Sequence, residues 1–155
     1  MPEMGRNNQI FISACSADAE AAKALQRGLK RFSVPRSLEV PQPYQHYKSS
    51  RKCFRHEEEN PRQTLLPVPI VEQIRRSDTM VMVCSPHTAV SKWIHAEVAE
   101  FYDAHPRGRI IAVVMEGEPE PDSAVEAYVK PCLPPNLNRT DAEYWVDARE
   151  SDWEY

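Results

Sequence analysis

Residues 79–101, TMVMVCSPHTAVSKWIHAEVAEF, decide the fold. The first six are an uninterrupted apolar run of strand length, closed by Cys84-Ser85-Pro86. A helix follows from about Ser91, its N-cap, with Ile94, Val98, Phe101 and Tyr102 as the buried stripe. Trp93 and Glu97 stand four residues apart and therefore share one face of that helix. An aromatic plate and a carboxylate are thus expected just beyond the end of a strand, where open α/β sheets keep their ligand crevice.

Outward from this stretch the same alternation repeats. Downstream, Arg109–Met115 (RIIAVVM) is nearly all apolar and reads as a central parallel strand covered on both faces. Upstream, Gln9–Ser13 (QIFIS) reads as a first strand that turns through Cys15-Ser16 into an amphipathic helix, with Ser16 as N-cap and Ala22, Leu25, Leu29 and Phe32 on the buried face. Residues 34–50, rich in proline and tyrosine, form an irregular excursion. Arg51–Arg55 (RKCFR) is a second strand whose charged flanks suit a sheet edge. His56–Leu66 is an acidic loop, and Pro69–Arg76 a short helix with Ile70 and Ile74 inward. Beyond Met115, residues 124–128 are expected to make a helical turn, 130–136 to be irregular, and Tyr144–Val146 to be a last short strand. An alternating fold adds one more helix over its final strand. The expectation is therefore a piece of a longer protein lacking that helix: residues 1–8 a disordered N-terminus, 9–155 one domain.

A chain of 155 residues, 41% hydrophobic and 27% charged, has the size and composition of a single domain with a real core. The formal charge of -4 argues against a protein that binds nucleic acid or anionic membrane through bulk charge. No apolar run approaches the roughly 20 residues of a membrane span, so no membrane association is expected of this chain. Cys15, Cys53, Cys84 and Cys132 are widely spaced, without a Cys-x-x-Cys pair, and read as free thiols of a cytoplasmic protein with no metal site. Four glycines, none in G-x-G-x-x-G spacing, leave no dinucleotide-cofactor loop. Ser13-Ala14-Cys15 and Cys84-Ser85, at the ends of the first and third apolar strands, lack the aspartates with which a phospho-receiver domain holds magnesium.

Several short pieces, in order, resemble one family. They are Phe11-Ile12-Ser13, Val34-Pro35-Arg36, Phe54-Arg55-His56-Glu57-Glu58, Val83-Cys84-Ser85-Pro86, Ser91-Lys92-Trp93 with Glu97, and Cys132-Leu133-Pro134-Pro135. Together they resemble a bacterial Toll/interleukin-1 receptor (TIR) domain over roughly residues 9 to 147. The resemblance implies a flavodoxin-like α/β fold, a five-stranded parallel sheet with helices on both faces. It implies two functional classes: enzymes that cleave NAD at the nicotinamide glycosidic bond, and scaffolds that bind further TIR domains. Bacterial relatives act in antiphage defence or in virulence, and nothing in these residues separates the two.

The resemblance makes Glu97 the catalytic carboxylate, in a Trp-x-x-x-Glu pattern. It makes Trp93, Ser13, Ala14, Cys15, Arg55, His56, Ser85 and Ser91 the substrate-binding set. Each has a plainer reading beside it: Glu97 a solvated helix glutamate, Trp93 a core or subunit-interface aromatic, Ser91 a helix cap, Ser85 a turn residue, and His56 a surface histidine. NAD enters as a substrate, with no cofactor, and the partners are other TIR domains in a homo-oligomer. Two residues depart from the pattern. Ala14 stands where relatives usually carry an aromatic, which removes a packing surface, and His56 stands where they commonly carry an aspartate, which bears on pH dependence.

Overall fold

The computed structural model describes residues 9–32, 52–57, 65–119, 130–138 and 145–149. Strands β1 (Gln9–Ala14), β2 (Lys52–Glu57), β3 (Thr79–Cys84), β4 (Arg109–Val114) and β5 (Trp145–Asp147) make one sheet in the order β2-β1-β3-β4-β5. Every neighbouring pair is parallel. The helices are α1 (Ala19–Arg31), α2 (Val68–Arg76), α3 (Pro86–Val90) and α4 (Lys92–Ala104), and a 3-10 turn, Ser16–Asp18, precedes α1. The expected five-stranded parallel sheet with helices on both faces is the fold observed.

Side chains alternate across a strand, and this sorts the core into two layers. Phe11 and Cys15, Met80, Met82 and Cys84, and Ile110, Ala112 and Val114 face one side, against Ile70 and Ile74 of α2 and Trp93, Ile94, Val98 and Phe101 of α4. Ile10, Ile12 and Ala14, Val81 and Val83, and Val113 face the other, against Ala21, Ala22, Leu25 and Leu29 of α1. Burying a side chain such as Ile94 or Phe101 contributes about 1.5–3 kcal/mol before entropy is charged, so α4 is held to the sheet mainly by its apolar stripe.

Several local expectations change. Ser16 lies in the 3-10 turn, and no side chain caps the start of α1. Phe32 falls outside the buried stripe, 57% exposed, because α1 ends at Arg31 and the backbone turns extended at Phe32. β2 runs on through His56 and Glu57, so the loop that follows starts later than expected, and β2 is an edge strand as expected. Pro86 opens α3, a helix the sequence reading passed over; proline fits there because the first helical residue needs no N–H donor. The middle strand is β3, with β4 one place further out, still buried along most of its length. β5 starts at Trp145, and residues 34–50, 124–128, the N-terminal 1–8 and 150–155 lie outside the described residues.

After β4 the chain turns at Gly117, where φ is +93° and an added Cβ would come within 2.8 Å of the Cys132 Cβ. Glycine lets the segment around Cys132 pack closely here. Cys132, Leu133 and Leu137 thereby join the layer that holds Trp93.

Candidate functional site

In the order β2-β1-β3-β4-β5 the chain leaves β1 toward one edge and β3 toward the other. The crevice beyond their carboxyl ends is the topological switch point of the sheet. Ser13 lies near the end of β1, Cys15 just past it and Ser85 just past β3, all three buried. Ser85 Oγ donates a hydrogen bond of 2.7 Å to Asp18 Oδ2, which links the two strand ends across this crevice. Burial raises the Asp18 carboxyl above its ordinary range; the Ser85 bond and His87 pull it down, and Glu116 adds to the rise.

The descent from Ser85 to α4 is fixed by a run of short-range bonds. The Ser85 N–H donates to Thr88 Oγ1 at 3.0 Å, the Thr88 N–H to the Ser85 carbonyl at 2.9 Å, and Thr88 Oγ1 to the Val83 carbonyl at 3.2 Å. The Ser91 N–H donates to the Thr88 carbonyl at 3.3 Å, and Ser91 Oγ accepts from the Ile94 N–H at 3.2 Å, capping α4. His95 Nε2 meets the Ala89 carbonyl at 3.0 Å and ties α4 back to α3. From the other side, Asn136 Nδ2 donates to the His95 carbonyl at 2.9 Å.

Trp93 and Glu97 project from the first two turns of α4. Trp93 is 1% exposed and Glu97 0%. Both are enclosed, and Trp93 packs in the core layer, in keeping with its plainer reading as a core aromatic. Glu97 is thus not a solvated helix glutamate of the kind Glu100 is, which pairs with Arg75 at 2.7 Å. A carboxylate is almost never fully buried without a reason, because taking its charge out of water is costly. Ser13 Oγ is also fully buried and has no hydrogen-bond partner among the described residues. By strand alternation it lies on the same side as Phe11 and Cys15, the side of Trp93.

The residues the sequence reading grouped are therefore divided. Ser13, Cys15 and Trp93 share one side of the sheet, with Ser85 at its rim and Ser91 as the cap of α4. Ala14 packs in the opposite layer with Ala21 and Ala22, so the aromatic it lacks would have met α1 and not Trp93. Arg55 also turns to α1, where its Nε donates to Gln26 Oε1 at 3.2 Å. His56 stands beside Ser13 in the strand register, and its side chain lies outside the described residues.

Sequence reasoning missed Asp18 as a site residue; only the fold brings it to Ser85, 67 residues away. Thr88 was missed as well, although Ser-x-x-Thr after a strand is a helix-start spacing. All four cysteines are free and buried, and burial pushes the Cys84 thiol well above its ordinary range, which makes it a poor nucleophile. Among the described residues no group of three or more His, Cys, Asp or Glu is arranged to hold a metal ion, and no helix is long and apolar enough to cross a membrane.

A family model described as TIR domain matches residues 10–154. The chain is 31% identical over 113 residues to the NAD(+) hydrolase ApTIR of Actinoplanes sp. (strain ATCC 31044 / CBS 674.73 / SE50/110). That alignment covers 70% of this chain and 14% of the relative, so the chain spans about one seventh of the relative's length. Among solved structures, the TIR domains of the activated Roq1 resistosome recognising the effector XopQ superpose with a TM-score of 0.50 at 16% identity. The match covers 72% of this chain and 59% of that one, and it carries the fold alone.

Proposed function

The chain belongs to the TIR-domain family, and we propose that it cleaves the nicotinamide–ribose bond of NAD. The observation that carries this reading is the full burial of Glu97 one helical turn after Trp93, on the inner side of α4. The relative named as an NAD(+) hydrolase supports it.

In NAD the ring nitrogen of nicotinamide is positively charged. When the C1′–N bond breaks, the bonding pair stays on that nitrogen and neutral nicotinamide leaves without needing a proton. One carboxylate therefore suffices where ordinary glycosidases use two. The ribose becomes oxocarbenium-like as the bond stretches, and Glu97 stabilises that positive charge more than it stabilises the ground state. A water oxygen then bonds to C1′ and releases a proton, giving ADP-ribose. Attack by an atom of the adenine ring instead gives a cyclic ADP-ribose isomer. Trp93 supplies the flat apolar wall beside Glu97, and the Ser13 hydroxyl a hydrogen-bonding group without a partner among the described residues.

An enclosed Glu97 has to become reachable, and in this reading self-assembly opens the site. Val68 at the start of α2, Leu65 just before it and Val90 at the end of α3 are 69%, 80% and 76% exposed. Helices that begin beyond the carboxyl ends of strands put these three at the same end of the molecule as the crevice, as an apolar surface for a second copy. The other reading, a non-catalytic module that binds TIR domains, rests on the departures from the family pattern at Ala14 and His56.

The deciding experiment measures nicotinamide release from NAD over a range of protein concentrations, for the wild type and Glu97→Gln. Release by the wild type that rises faster than linearly with concentration and is lost in Glu97→Gln is the expected result. Release unaffected by the substitution would remove Glu97 from the chemistry. Silence from the wild type even when it is held in an oligomer would leave the binding module.

A further inference from the structure

Asp18 occupies the N-cap position of α1, where an aspartate ordinarily turns its side chain onto the free N–H groups of its own helix. Here it makes no such bond and reaches instead to Ser85 Oγ at 2.7 Å. Ser85 is buried and is bonded to Thr88; Thr88 is bonded to Ser91, and Ser91 caps the turn of α4 that carries Trp93. An unbroken run of hydrogen bonds thus joins the loop after β1 to the start of α4.

We propose that Asp18 is a positioning residue, which through Ser85, Thr88 and Ser91 sets where Trp93 stands beside Glu97. The inference rests on the reading of Trp93 and Glu97 given above. α3 has only five residues, too few to hold its own place, and Asp18 ties its start sideways to the turn that follows β1. The carboxyl also sits in surroundings that disfavour its charge, with Glu116 as a like charge and His87 as the opposing one. A local helix cap would have been met at lower cost by the serine or asparagine that caps prefer equally.

The test compares Asp18→Ala, Ser85→Ala, their double variant and Asp18→Asn, which keeps an oxygen to accept from Ser85. Two readouts are used: the ¹H–¹⁵N indole resonance of Trp93, assigned by substituting Trp145 and Trp153, and kcat with KM for NAD. Asp18→Ala and Ser85→Ala are expected to shift the Trp93 resonance and to lower kcat about tenfold, the scale of a small misplacement of a reacting group, with KM little changed. The double variant should be no worse than either single one, and Asp18→Asn should recover most of the loss. An unmoved Trp93 resonance in Asp18→Ala, or losses that add in the double variant, overturns the proposal. If the wild type releases no nicotinamide, the proposed function falls by itself, while the Trp93 resonance still decides the role of Asp18.

Discussion

Trp93 and Glu97 lie one helical turn apart in α4, and both are enclosed between that helix and the sheet. The pair is therefore part of the core and part of the proposed chemistry at once. Substitutions have to be chosen so that the two roles separate.

For Glu97 the separation is clean. Glu97→Gln keeps size and hydrogen-bonding shape and removes the charge that would face an oxocarbenium-like ribose. Loss of a preorganised electrostatic group of this kind lowers kcat by about 10²–10³-fold. Circular dichroism and thermal melting should show a folded protein in the same preparation, so that lost turnover is not lost structure. Retained turnover would place the charge stabilisation elsewhere.

For Trp93 the two roles pull apart by degree. Trp93→Ala empties the largest fully buried side chain of the core and should cost about 3–5 kcal/mol, enough to unfold a marginal domain. Trp93→Phe keeps an aromatic face and most of the volume and should stay folded with a smaller loss. If the ring stacks on the substrate, Trp93→Phe raises KM for NAD by several-fold while its denaturation midpoint falls only modestly. A fall in stability with kinetics unchanged would make Trp93 a core residue alone.

The sheet was legible because its signal is local. The runs at Gln9–Ser13, Thr79–Cys84 and Arg109–Met115 are short, apolar and bounded by turn residues, which reads as buried strand. The α4 stripe and its Ser91 cap were legible for the same reason, each resting on a spacing of three or four residues. What failed depended on contacts distant in sequence. Asp18 was passed over because its partner lies across the sheet, and nothing near it in the chain names Ser85. Ala14 and Arg55 were grouped with Trp93 by the family resemblance, whereas strand alternation sends their side chains to the α1 layer. Glu97 stands three residues after Ile94 and four before Phe101, on the buried stripe itself, and its burial was missed because a charged side chain is ordinarily exposed.

At the carboxyl end of edge strand β5, Arg149 donates to Asp147 through Nε to Oδ1 and Nη2 to Oδ2, each 2.9 Å, and through its backbone N–H at 3.1 Å. These bonds lower the Asp147 pKa to about 2. A depressed carboxyl contributes stability above its ordinary pKa and loses it as pH falls through about 2. Titration of the Asp147 side-chain carbon by NMR should show that midpoint, and Arg149→Gln should return it toward the ordinary carboxylate range. The pair is solvent-exposed, so high salt should weaken the shift, and a midpoint indifferent to Arg149→Gln would mean that another group holds it down.

Asp18 carries the opposite sign. Its carboxyl is raised, chiefly by burial, so the folded state holds its proton more tightly than the unfolded chain does. The stability it contributes is complete below the unfolded value, about 3.9, and is lost as pH rises through the higher folded value. Asp18→Asn imitates the protonated form at every pH. Its melting temperature should therefore equal or exceed that of the wild type at pH 7, and the difference should close as the pH is lowered below about 4. Paired melts from pH 3 to 8 check this. A wild type that gains on Asp18→Asn as the pH rises would mean that the charged bond to Ser85 outweighs the cost of burial.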